Sequence, residues 1–126
     1  MDTLVNPRIK SLSALLLVSD LEHSIQFYKR LGFETDFVYE GFYAGIVKDS
    51  YTIHLKLGEP GKKERERRQK SEDLDIVFSV EQIERLYDGI KIMPVNIIQP
   101  LRELPYGREF YITDPDGYIL GFVGES

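Results

Sequence analysis

The chain holds two histidines, His23 and His54, and no cysteine. Without thiols there are no disulfides, no thiolate zinc sites and no cysteine nucleophile. His54 lies in Tyr51 to Leu57, which alternates as a strand. Tyr51, Ile53, Leu55 and Leu57 point to one side, and Thr52, His54 and Lys56 to the other. Asp75 can pair with His54 or with a basic residue. His23 falls early in a helix and reads as part of a solvated face. Arg102 and Arg108 can meet an anionic ligand, though each also suits an ordinary surface. Asp114-Pro115-Asp116-Gly117 is turn chemistry and lacks the repeated carboxylates of a calcium loop. No Gly-rich phosphate loop, Walker pattern or Gly-x-Ser-x-Gly elbow occurs, so neither nucleotide nor serine-hydrolase chemistry is indicated.

The elements that must position these residues follow from periodicity and turn signals. After an arm at Met1 to Lys10, a strand is expected over Ser11 to Ser19 and a helix over Leu21 to Leu31. Ser19 with Glu22 fits a capping box, Asp20 suits the positive end of the helix, and Gly32 suits its stop. Strands are expected at Thr35 to Glu40, Phe42 to Lys48 and Tyr51 to Leu57. Residues 59–71 read as a linker: Glu59-Pro60-Gly61 is a turn, and Lys62 to Lys70 is a charged run with i,i+4 pairs Glu64–Arg68 and Glu66–Lys70. That run is a solvated linker, a mobile lid or a patch for an anionic partner. The order then repeats. A strand at Leu74 to Ser79 leads to a second capping box, Ser79 with Gln82, and a helix from Gln82 to Ile90. Strands at Val95 to Gln99, Arg108 to Thr113 and Tyr118 to Val123 complete it. The expected architecture is α+β, one domain over 1–126 made of two βαβββ modules at about 11–58 and 72–126.

The chain has 126 residues, of which 42% are hydrophobic and 29% charged, as in an ordinary soluble domain. A net charge of −5 excludes a general attraction to nucleic acid. The longest apolar run, Ala14 to Val18, is too short to span a bilayer, and Met1 to Lys10 has no apolar signal core. A cytoplasmic protein is the default expectation.

Two motifs point further. Leu17-Val18-Ser19-Asp20-Leu21-Glu22-His23-Ser24-Ile25-Gln26-Phe27-Tyr28, ending in Leu31-Gly32-Phe33, resembles the opening of glyoxalase, bleomycin-resistance and dioxygenase proteins, the vicinal oxygen chelate superfamily. Arg108 to Leu120, with Asp114-Pro115-Asp116-Gly117 at its turn, resembles that family's final hairpin. The resemblance implies a curved mixed sheet with a concave ligand cleft, helices on the convex side, and commonly a homodimer. It also implies four metal-ligand positions, at which this chain has Ser13, His54, Asp75 and Gly121. The family's enzymes use His and Glu there. Ser13 is a poor ligand for a transition metal and Gly121 has no side chain, which leaves His54 and Asp75 as weak metal candidates.

With so few donors, the expectation is a binding protein of the bleomycin-resistance type, with no catalytic residue and no cofactor, that holds a small aromatic or amphipathic molecule. Ser13, Leu15, His54, Asp75, Gly121 and Phe110 are the expected ligand-binding residues, with Leu17, Val77 and Ile119 on the same inward side and Gly121 leaving room. Tyr43 and Tyr106 join Phe110 as candidates to stack on the ligand. The alternatives are a lyase, isomerase, thiol transferase or dioxygenase dependent on a divalent metal such as Zn, Ni, Mn or Fe, and an interaction module reusing the scaffold.

Overall fold

The computed structural model describes residues 5–125. The first part of the expected arm, 1–4, lies outside them. The first module contains β1 (Ser13–Val18), α1 (Leu21–Arg30), β2 (Glu34–Tyr39), β3 (Tyr43–Lys48) and β4 (Tyr51–Leu57). Its strands order as β1-β4-β3-β2, with β1 parallel to β4. The second contains β5 (Ile76–Ser79), α3 (Ile83–Lys91), β6 (Asn96–Leu104), β7 (Gly107–Thr113) and β8 (Ile119–Gly124), in the matching order β5-β8-β7-β6. The repeat therefore forms two four-stranded mixed sheets, not one continuous hydrogen-bonded sheet.

Local chemistry sets the ends of α1. Asp20 caps it, accepting the backbone N–H of His23 at 3.0 Å. Ser19 instead donates to Asp116 at 2.6 Å, which ties the helix start to the last hairpin turn. At the other end Gly32 takes φ +101° and donates to the Lys29 carbonyl, while Phe33 N–H reaches the Tyr28 carbonyl. This is a Schellman stop, and Phe33 packs edge-on against Tyr28 with ring centres 5.8 Å apart. The second capping box does not form. Ser79 stays in the ladder opposite Val123, Val80 N–H bonds the Val123 carbonyl, and Gln82 starts α3 in a left-handed conformation with no side-chain cap.

The core joins the modules. Leu16, Val18, Ile53 and Leu55 from the first sheet bury with Phe110, Ile112, Leu120 and Phe122 from the second. A chain of aromatic contacts crosses between them: Tyr28–Phe33, Phe33–Phe78, Phe78–Phe122 and Phe122–Phe110, each with ring centres within 6.2 Å. The expected linker is α2 (Lys62–Ser71), a helix with no buried residue and no apolar one. Glu64 pairs with Arg67, and Arg68 turns away to Asp75, so the expected Glu64–Arg68 pairing is replaced. Among the described residues no helix is long and apolar enough to cross a membrane.

Candidate ligand-binding face

Alternation on β1 turns Leu16 and Val18 into the core and leaves Leu15 (54% exposed) and Leu17 outward. The ladder then fixes their neighbours. Across the sheet Leu15 stands beside His54, His54 beside Gly45, and Gly45 beside Phe37. Gly45 has no side chain, and the Phe37 ring lies over it where a Cβ would stand. A register shift between Thr35 and Phe37 accompanies that placement.

His54 sits in an aromatic corner. Its ring is 5.5 Å from Phe37 and 5.4 Å from Tyr43, edge-on to both. Tyr43 and Phe37 stack with ring centres 6.1 Å apart. The Tyr43 hydroxyl is 2.8 Å from His54 Nδ1. The contact links phenol and imidazole in one hydrogen-bonded pair on the outward face. Ser13 is occupied with Thr52, oxygen to oxygen, and Thr52 also bonds the Leu12 carbonyl. Tyr43 was among the stacking candidates. Phe37 was not, although its place in an alternating strand beside a glycine-bearing one is a readable signal.

The second sheet presents a different face. Val77 is 57% exposed, and its row continues through Gly121 to Tyr111. Gly121 leaves no open room, contrary to expectation. The Leu74 side chain lies on it, with Cδ1 2.6 Å from where a Cβ would stand. Next to Tyr111, the buried Glu109 accepts from Arg102 Nε at 2.8 Å and lies 2.6 Å from Arg102 Nη2. Burial first, and then the bond to Glu109, push the Tyr111 phenol above its ordinary pKa. Arg102 therefore neutralises a buried acid and does not stand as a free anion site.

Asp75 is also fully engaged. One oxygen accepts Arg65 Nη1 at 2.8 Å and lies 2.9 Å from Arg68 Nε. The other accepts the backbone N–H of Ile119 at 2.8 Å, and Ile119 is completely buried there. Asp75 thus pairs with basic residues and not with His54. Phe110 is corrected outright: it is fully buried, stacked 4.9 Å from Phe122 on the core side. Its ladder partner is Phe122, and cross-strand partners share a face. Tyr106 is exposed in the β6–β7 turn, away from these ladders.

The four family ligand positions fall two on each sheet: Ser13 and His54 on the first, Asp75 and Gly121 on the second. Asp75 meets Arg65 and Arg68, and His54 meets Tyr43, so the two candidate donors are paired elsewhere. The donors do not fit a divalent ion. Asp75 is held by two guanidinium groups, one His54 nitrogen is bonded to Tyr43, and Gly121 offers no side-chain atom. Among the described residues no three His, Cys, Asp or Glu side chains gather in a metal-holding group. Two concavities lie off the aromatic corner. A groove of about 440 Å³ runs between the start of β1, Phe33 and β5, and one of about 260 Å³ separates α1 from β6 and β7.

A family model described as Glyoxalase/Bleomycin resistance protein/Dioxygenase superfamily matches residues 9–122. Among curated proteins there is no significant match. Solved structures are similar over almost the whole chain. A member of the same superfamily from Sphaerobacter thermophilus DSM 20745 is 24% identical, covers 94% of this chain and 98% of its own, and has a TM-score of 0.73. TnmS3, an antibiotic binding protein from Streptomyces sp. CB03234, is 16% identical over 97% of this chain and 100% of its own, with a TM-score of 0.71. A bleomycin-binding protein from Streptomyces verticillus, complexed with copper(II)-bleomycin, is 20% identical over 96% and 100%, with a TM-score of 0.69. At these identities the likeness is one of fold.

Proposed function

The chain belongs to the glyoxalase/bleomycin resistance protein/dioxygenase superfamily, and from that premise we propose that it binds a small planar or amphipathic organic molecule without a metal. The observation that carries this reading is the outward corner of Phe37, Tyr43 and His54 beside Leu15 and Leu17. It combines apolar and aromatic surface with one placed polar pair, the Tyr43 hydroxyl and the His54 ring, the usual makeup of an organic-ligand site. Relatives of the same fold include an antibiotic binding protein and a bleomycin-binding protein, which supports the ligand class. The engaged state of Asp75 supports binding over metal-dependent turnover.

An open sheet face cannot by itself surround a ligand, and a tight site buries roughly 70–90% of one. We therefore propose a homodimer in which a second copy covers the corner, with the exposed Leu15, Leu17 and Val77 contributing to the contact. Light scattering coupled to size exclusion should return twice the 14.6 kDa chain mass.

The test is a thermal-shift series on protein dialysed against EDTA. Metal-free bleomycin and flat aromatic compounds should raise Tm, since ligands of the native state stabilise it. Zn, Ni, Mn and Fe alone should leave it unchanged. Stoichiometric metal after purification, with a Tm gain on metal alone, would instead favour a metalloenzyme.

A further inference from the structure

Leu74 has a position that neither strand periodicity nor a structural role for α2 explains. It belongs to no strand, yet its side chain lies flat on the outward side of β8 at Gly121. Leu120 and Phe122 point into the core, so the missing Gly121 side chain would stand on the opposite, outward face. A Cβ there would meet Leu74 Cδ1 at 2.6 Å, Cδ2 at 3.2 Å and Cγ at 3.4 Å. Gly121 takes no left-handed φ, so it is the space and not the backbone that requires glycine.

Leu74 is also held from both sides. Asp73 N–H bonds the Arg68 carbonyl at 2.9 Å, and Arg68 Nη2 donates to the Leu74 carbonyl at 2.9 Å. Asp75 exchanges bonds with Ile119 through its backbone and side chain, and Arg65 donates to its other oxygen. Arg65 further lies over the Tyr118 ring at 4.5 Å, and Gln69 donates to the Gly117 carbonyl at 3.0 Å. A helix with no apolar anchorage is thus fixed by charge and hydrogen bonds, and through it the connector that carries Leu74.

Resting on the ligand-binding reading above, in which the Val77 face of a second copy covers the aromatic corner, we propose that Leu74 is a specificity-determining residue: it fills the recess over Gly121 and thereby limits the width of ligand accepted between that face and the corner. Arg65 and Arg68, acting through Asp75 and the Leu74 carbonyl, are positioning residues for it. Removing the isobutyl group opens an apolar recess walled by the Gly121 backbone, Val77 and Tyr111. Apolar recesses of this kind stay dry and take up apolar rings.

The experiment compares wild type, Leu74→Ala, Gly121→Ala and the double variant, using indole as a narrow probe and 1-anilinonaphthalene-8-sulfonate as a wide one. Binding is read by fluorescence well below each Tm, and Tm is measured for all four. Gly121→Ala should lower Tm in wild type but not in Leu74→Ala. Leu74→Ala should bind the wide probe about tenfold tighter, with indole changed less than about twofold, and the double variant should lose most of the gain. Independent Tm effects at the two sites would overturn the contact and with it the proposal. Coupled Tm effects with unchanged wide-probe affinity would overturn the specificity role and leave the ligand-binding reading standing. Absence of binding by every variant would remove both.

Discussion

The Tyr28 hydroxyl donates to Asp114 Oδ2 at 2.7 Å across 86 residues of sequence, joining α1 of the first module to the final turn of the second. The other Asp114 oxygen accepts the backbone N–H groups of Asp116 and Tyr118. All three donors favour the carboxylate, yet burial outweighs them and raises the Asp114 pKa to about 6. The sign follows from linkage. The folded state binds its proton more tightly than the unfolded chain, so this group's contribution to stability falls as pH rises from about 4 to about 6 and stays low above that. Asp114→Asn keeps the backbone acceptor and removes the buried charge. It should gain on wild type by up to about 3 kcal/mol at pH 7 and lose that advantage near pH 4. Denaturant titrations of both proteins at the two pH values measure this difference. Equal pH dependence would contradict it.

Removing the Tyr28 side of the bond should instead destabilise the fold. Tyr28→Phe preserves the ring contacts with Phe27 and Phe33 and leaves one Asp114 oxygen without its donor. A loss of about 1–2 kcal/mol is expected at neutral pH. The loss should shrink in the Asp114→Asn background, since the two residues share one bond.

Asp75 and its two arginines make up a second cross-element link. The side chains of Arg65 and Asp75 are only 13% and 12% exposed. Asp75→Ala strands two guanidinium groups and the Ile119 N–H, so about 3–5 kcal/mol should be lost in denaturant unfolding. Divalent zinc should not restore stability to wild type or variant. Stabilisation of wild type by zinc that Asp75→Ala abolishes would show that Asp75 is a ligand after all.

Gly45→Ala tests the aromatic corner without touching its polar atoms. The added methyl meets the Phe37 ring, which must swing away from His54. The expected outcome is a stability loss of about 1–3 kcal/mol, with weaker binding of flat aromatic probes. Phe37→Ala in the same background should relieve the stability loss but not the binding loss.

Much of the fold was legible because its signals are local. Gly32 stops α1 by taking a conformation that glycine adopts freely, and Asp114 to Gly117 turns the last hairpin with its own side chain. The alternation of Tyr51 to Leu57 correctly turned Ile53 and Leu55 to the core and His54 outward. Phe110 was misread because Phe110, Tyr111 and Ile112 are all apolar, so periodicity gives no face. The turn at 114–117 does not decide it either: counted outward it would pair Thr113 with Tyr118, whereas the ladder pairs Thr113 with Ile119 and so Phe110 with Phe122. Ser79 was drawn into the ladder by Val123, a partner far away in sequence, so its local capping pattern lost. The destination of Asp75 was equally hidden. The charges of α2 are plain in the sequence, but which of them turn inward depends on how the helix docks.

The central claim is that the outward face of β1 to β4 binds a small organic molecule without a metal. Backbone amide spectra of the isotopically labelled, EDTA-treated protein, titrated with metal-free bleomycin, test it most directly. The account predicts saturable shifts concentrated at Leu15, Phe37, Tyr43 and His54, and their loss in Phe37→Ala. Shifts confined to the groove between β1 and β5, or appearing only when a divalent metal is added, would contradict it.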